Sequence, residues 1–324
     1  MSRLSAALAI VIGVAVAGAI GTVTAARSVI AGVDRVSGVA AVLSPASSTV
    51  ENYLLVGSDS RANSDPTSPD YGGIGSEADV SGTRSDTIMV LRRDAVTGDA
   101  ALLSIPRDLW VDIPGQGRGR INGAFSAGPA VLVQTVQTAL GLPVHHYVEV
   151  DFNGFKDLVD SIGGVQLCFL YPTRDTNTGL NIPVGGCYVL DGVAALAYAR
   201  SRYFEQYIDG DWRVDGTADI GRTARQRDFV DRALGAALAE VKANPFAAGD
   251  VVASGVAAVR LDEDLDVLGA VTSLRSAAEA GLATWALPVR GETIDGKSVL
   301  LLADGADSVL AWFAGTAPPP PPQS

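Results

Sequence analysis

Histidine is almost missing from this chain of 324 residues: there are two, the adjacent His145 and His146. Cysteine is equally scarce, with Cys168 and Cys187 alone, and lysine occurs only at 156, 242 and 297. These shortages exclude several chemistries. Two thiols without histidine neighbours make a poor zinc site. A Ser-His-Asp triad is excluded in the same way, because no G-x-S-x-G lies near the paired histidines, which read as strand or edge residues. No G-x-x-x-x-G-K-[ST] exists, and no G-x-G-x-x-G follows a strand, so the usual nucleotide-phosphate loops are missing. Net charge is −12, which argues against a broad nucleic-acid surface.

Arginine carries the positive charge. Twenty-four basic residues less three lysines leave 21 arginines, and 14 of these fall between Arg84 and Arg232. GC-rich coding accounts for the total but not for the placement. Arginine suits bidentate contacts with phosphate and carboxylate, where lysine acts as a point charge.

Charge of either sign is absent from Leu4 to Ala26, 23 residues that would make a helix of about 34 Å. That length spans a bilayer with some tilt. A cleaved signal peptide is the rival reading, but its apolar core is roughly 7–15 residues. The expected layout is a cytoplasmic stub (1–3), a single-pass membrane anchor (4–26) and a small, polar linker (27–50). A globular domain outside the cytoplasm (51–313) and a proline-rich tail (314–324) follow. In a compartment outside the cytoplasm Cys168 and Cys187 read as a disulfide that ties down the loop "YPTRDTNTGLNIPVGG"; two buried free thiols are the alternative.

Along the domain, strands and helices alternate. "NYLLVGSDSR" reads as a strand ending in a polar turn, and residues 62–82 as a loop rich in Gly, Ser, Asp and Pro. "DTIMVLRRD" and "DAALLSIPRD" flank a turn containing Gly98, a hairpin signal. "RGRINGAFSAG" reads as a loop entering an apolar helix stopped by Gly141 and Pro143. "HHYVEVDF", "VQLCFLY", "LATWALPV" and "SVLLLA" read as strands. "NGFKDLVDSIGG", "LDGVAALAYA" and residues 218–244 read as helices. Alternation with some hairpin pairing predicts an α/β fold, a mixed-sheet αβα sandwich.

Charges collect at the predicted strand ends. Asp59 and Arg61 close the first strand, Arg84 and Asp86 open the second, and Arg107 and Asp108 close the third. If the strands pair antiparallel, these ends meet. One ion pair there would be a surface salt bridge of little value. The whole set reads as a phosphate site, with Asp59 and Asp86 on a divalent cation, Mg²⁺ preferred for its hard oxygen ligands. Arg200 and Arg202 pose a further question. Residues two apart do not share a helix face, so both can serve one anion only if the helix ends between them.

"GSDSR", "TRSDTIMV", "LLSIPRDLWV", "RINGAFSAG", "VDFNGFKDLVDSIGGV", "LDGVAALAYARSRY" and "DIGRTARQR" occur in an order that resembles the LytR-CpsA-Psr family, over roughly residues 50–245. The resemblance implies a membrane-anchored, extracytoplasmic phosphotransferase. Such enzymes move a glycopolymer from a polyprenyl-pyrophosphate carrier to peptidoglycan. It implies Mg²⁺, or Mn²⁺ in its place, on Asp59 and Asp86. It puts pyrophosphate contacts at Arg84, Arg107, Arg200, Arg202, Arg222, Arg225 and Gln226. Arg107, Asp108, Arg200 and Arg202 are the expected catalytic residues, Asp108 as a base or as the residue that orients Arg107. The implied partners are the lipid-linked glycopolymer, peptidoglycan and the membrane, without nucleic acid. The alternatives are a polyprenyl-pyrophosphate hydrolase and a non-enzymatic lipid-carrier or cell-wall binding protein. Two departures stand out: the loop between Asp59 and Asp86 is long, and the chain reads as catalytic domain plus anchor where many members carry a further C-terminal domain.

Overall fold

Apolar side chains fill successive positions of Val50–Ser58, Ser85–Asp94 and Ala100–Ile105, the pattern of strands covered on both faces. In the computed structural model they are β2, β3 and β4, after a short strand β1 (Asp34–Val36). The structure describes residues 32–45, 47, 49–58, 85–94, 96–215, 221, 225, 228–230, 232–233, 235–236, 258–267 and 282–321, without the side chain of Asp86. The predicted anchor, Asp59, Arg84, Arg222 and Gln226 therefore lie outside the described residues. No helix among the described residues is long and apolar enough to cross a membrane.

Further along come β5 (Trp110–Ile113) and β6 (Gly117–Arg120), then helices α1 (Asn122–Ser126) and α2 (Pro129–Leu140). Pro129 starts α2 and Gly141, left-handed at φ 64°, ends it. Strand β7 (His146–Val150) leads into α3 (Phe152–Ser161), capped by the Asp151 carboxylate on the Gly154 amide. Next are β8 (Val165–Phe169), β9 (Thr173–Asp175), β10 (Leu180–Ile182) and β11 (Gly186–Leu190). Helix α4 (Gly192–Arg200) follows, capped by Asp191, then the β12 (Glu205–Ile208) and β13 (Asp211–Val214) hairpin. The chain closes with β14 (Val259–Asp262), β15 (Ala283–Ala286), β16 (Val289–Ile294), β17 (Lys297–Leu302) and α5 (Ala306–Phe313).

Seven strands form one mixed sheet in the order β1-β14-β7-β2-β3-β4-β15. Alternate side chains enter opposite cores, as the twofold strand period requires. Tyr53, Leu55, Met89 and Val148 pack against α3, α4, β8 and the helical residues Phe229 and Val230. Leu54, Val56, Val90 and Tyr147 pack against α1, α2 and α5. This is the expected sandwich with helices on both faces.

Three expectations need correction. Residues 27–50 do not all serve as a linker: β1 pairs with β14, and Val36 and Val39 are buried. "RGRINGAFSAG" is not a loop but β6 followed by α1. The segment after Cys168 is not irregular either; β9 and β10 pair there, and β9 joins β12 and β13 in a second sheet.

Candidate active site

The strand register defines one edge of the main sheet. Ser58 pairs with Ser85, Ile88 with Ile105, and Gly57 with Val150. Residues 58, 85, 106–108 and 151–152 therefore all lie at the same end of the sheet. From β7 to β4 is three strand spacings, about 14 Å. Ser58 and Ser85, paired at this edge, are followed in the sequence by Asp59 and Asp86. Among the described residues, no group of three His, Cys, Asp or Glu side chains is arranged to hold a metal ion.

Arg107 and Asp108 follow β4 at this edge. The Arg107 Nε donates to Asp108 Oδ2 at 3.2 Å, and Arg120 Nε lies 3.4 Å from Asp108 Oδ1. Both carboxylate oxygens face guanidinium groups. That geometry fits an orienting carboxylate better than a base, which needs a free oxygen toward the attacking hydroxyl. The backbone here is clamped: the Asn122 amide donates to the Arg107 carbonyl, and the Leu300 amide to the Asp108 carbonyl.

Arg200 and Arg202 reach the site from α4. The helix stops at Arg200, and Ser201 leaves it with φ −56° and ψ 126°. The helix thus ends between the two arginines, as convergence on one anion requires. The Arg200 guanidinium carbon sits 5.0 Å from the centre of the Phe152 ring, a cation–π contact with the residue that follows β7. Because Val150 pairs with Gly57, this contact ties Arg200 to the edge that Arg107 also occupies.

A buried carboxylate holds the turn. Asp175 Oδ2 accepts the Ser201 hydroxyl at 2.7 Å, the Arg202 amide at 3.0 Å and the Tyr203 amide at 2.9 Å. Its Oδ1 accepts the Asn177 amide at 2.9 Å. Burial raises the carboxyl pKa, but the Ser201 bond and the backbone amides more than offset that, and hold it below the usual range. Arg225 braces the turn from the other side. It donates to the Ser201 carbonyl at 3.0 Å, pairs with Asp215 at 2.7 Å and stacks on Phe204 with 4.4 Å to the ring centre. Expected as a pyrophosphate contact, Arg225 here positions the segment that carries Arg200 and Arg202.

Cys168 and Cys187 form a disulfide directly across the β8–β11 ladder. The β8–β11 ribbon borders a cavity of about 460 Å³ lined by Leu167, Phe169, Leu170, Tyr198, Phe204 and Arg225, among others. Burial pushes the Tyr198 hydroxyl up to about 12, so it stays a neutral donor.

Arg107, Arg200, Arg202 and Arg225 are thus brought to one end of the fold. Asp175 was not among the expected residues. Its signal was faint: an acidic residue in a turn-rich stretch, "TRDTNTG", where solvated aspartates are common.

The family model for the LytR_cpsA_psr family matches residues 22–310, and the chain belongs to that family. It is 36% identical over 240 residues to a probable cell wall biosynthesis protein LcpB of Corynebacterium glutamicum, covering 74% of this chain and 54% of that one. It is 31% identical over 228 residues to a polyisoprenyl-teichoic acid–peptidoglycan teichoic acid transferase TagU of Oceanobacillus iheyensis, covering 68% and 67%. Among solved structures, a LytR-Csp2A-Psr enzyme from Actinomyces oris superimposes with a TM-score of 0.65 at 26% identity, covering 82% of this chain and 89% of that one. The chain spans about half the length of most of the curated relatives it matches.

Proposed function

We propose that this protein transfers a glycopolymer from a polyprenyl-pyrophosphate carrier to peptidoglycan, from outside the cytoplasm and anchored by residues 4–26. The observation that carries the reading is the Ser201 turn. It ends α4 between Arg200 and Arg202, and the Phe152 contact draws it to the sheet edge where Arg107 leaves β4. Family membership supports it, as does the TagU relative, named as a peptidoglycan teichoic acid transferase. The disulfide supports a location in an oxidising compartment.

In this reading Arg84, Arg107, Arg200 and Arg202 hold the diphosphate, with Arg222 and Gln226 at its margin. Phosphoryl transfer asks little covalent chemistry of a protein; positioning and neutralisation of charge dominate. Arginine forks grip the phosphate oxygens, and Asp108 fixes the Arg107 Nε so that its guanidinium plane is set. Asp59 and Asp86 are assigned to a divalent cation, Mg²⁺ or Mn²⁺. Ser58 and Ser85, paired at this edge and each followed in the sequence by an acidic residue, support this. Bound there, the ion would neutralise charge on the departing lipid phosphate.

The test is turnover of a polyprenyl-pyrophosphate-linked glycan with and without peptidoglycan. Attachment of glycan to peptidoglycan supports the reading. Equal release of lipid phosphate under both conditions, with no attachment, assigns a hydrolase instead. Binding without release under any cation assigns a carrier.

A further inference from the structure

The β8–β11 ribbon carries an apolar surface that faces outward. Leu170 is 87% exposed and Val184 63%, and they lie together at the ribbon's open end, where Gly185 packs on the Leu170 carbonyl. Tyr203 is 60% exposed and Tyr171 40%. Tyr171 follows Leu170 in the chain, whereas the β9–β12 register, Gln206 opposite Thr173, puts Tyr203 at the far end of that pairing. Isolated exposed apolar residues are ordinary; a contiguous set marks an interaction surface. The Cys168–Cys187 disulfide, two residues before Leu170, ties the two strands of the ribbon together.

The position of this patch selects its partner. Leu170 lines the cavity that also contains Arg225 and Tyr198, so the patch lies at the arginine end of the molecule. The N-terminal segment enters at that same end. Asp34 pairs with Arg260, Val259 with Val150, and Val150 with Gly57, the last pair at the site edge. Seven residues, 27–33, separate the uncharged run Leu4–Ala26 from β1. Fully extended they reach about 25 Å. A domain tethered so closely keeps this end against the bilayer. Aliphatic tips beside a tyrosine are the composition found at membrane interfaces.

We propose that Leu170, Tyr171 and Val184 form a rim that docks on the lipid bilayer surface, with the two aliphatic side chains dipping below the headgroups. The inference rests on reading residues 4–26 as a membrane anchor. It orients the arginine site toward the leaflet that presents a polyprenyl-pyrophosphate headgroup. The three rim side chains are uncharged, so their insertion persists at high salt, which screens only the attraction of the nearby arginines.

The test places a photoreactive benzoylphenylalanine at position 170, and separately at position 96. Val96 is 77% exposed in the β3–β4 turn, at the opposite end of the sheet. The full chain is incorporated into vesicles of phosphatidylcholine and phosphatidylglycerol that contain no polyprenyl lipid, then irradiated. The expected result is a phospholipid adduct at 170, undiminished by high salt, and none at 96. Vesicle-bound chain without an adduct at 170, or with equal adducts at both positions, overturns the docking and leaves the transferase reading intact. Chain that fails to float with vesicles overturns the anchor, and the docking with it.

Discussion

The Ser201 hydroxyl lies 2.7 Å from the buried Asp175 carboxylate, and this one contact fixes the path of the chain between Arg200 and Arg202. An α-helix that continued would have pointed the two guanidinium groups apart. Asp175 ends it by offering the next three residues a better set of acceptors than a further helical turn would. The carboxylate belongs to a three-residue strand held in the second sheet. The arginine turn is therefore positioned by an element distant in sequence from both strands and helices of the phosphate edge.

Asp175→Asn replaces an acceptor of four hydrogen bonds with an amide that must turn a donor toward some of them. Leaving buried donors poorly satisfied costs about 1–3 kcal/mol. Thermal or denaturant unfolding should show that loss. Turnover should fall further than unfolding explains, because Arg202 loses its backbone support; a variant with wild-type kcat at full folding would show that the turn does not position the arginine.

The pH dependence of stability has a definite sign at the same residue. The folded Asp175 carboxyl titrates below its unfolded value, so its contribution is fully present above the unfolded pKa, about 3.9. It is lost as pH falls through the folded value. Asp151 has the opposite sign. Burial raises its carboxyl, so folding favours the protonated form and the charged residue weakens the fold near neutral pH. Asn is as good a helix cap as Asp. Asp151→Asn should therefore match or exceed wild-type stability at pH 7 and lose that advantage toward pH 3, measured by denaturant unfolding at both pH values.

Reduction of the Cys168–Cys187 disulfide frees a loop of 19 residues, which in the chain-entropy account is worth about 3 kcal/mol. Melting with and without reductant measures it. The β8–β11 ribbon should show the largest gain in amide exchange, with the main sheet unchanged.

Gly192 starts α4 against α3. A Cβ there would meet the Lys156 carbonyl oxygen at 2.5 Å, and its amide donates to Asp160 Oδ1 at 2.7 Å. Gly192→Ala should cost about 1–3 kcal/mol by overpacking. It should also lower turnover, because shifting α4 shifts Arg200. Unchanged stability would mean the two helices separate easily.

Much of the fold was legible because its long strands and helices are uniformly apolar or cleanly periodic. β2, β3, β4 and β7 announce themselves as apolar runs, and α2 by its stop at Gly141 and Pro143. The short elements were not legible. β6 is "GRGR", with no apolar residue to reveal a strand; it exists because Trp110–Ile113 supplies the partner. β1 is three residues long and owes its existence to β14, some 220 positions away. Arg107, Arg200 and Arg202 stand out in the sequence by type and spacing. The carboxylate that arranges them was not, since its function depends on the β9–β12 pairing, which no local pattern encodes.

The central claim is that Arg107 and Arg202 act on one diphosphate, and a double-mutant cycle tests it most directly. Turnover of a polyprenyl-pyrophosphate-linked glycan is measured for Arg107→Ala, Arg202→Ala and the double variant, with folding checked by unfolding curves. Groups that act as a unit are non-additive. The account predicts that each single variant loses most of the activity and that the double variant loses much less than the product of the two. Losses that multiply as for independent sites, or near-normal turnover in either single variant, would contradict it.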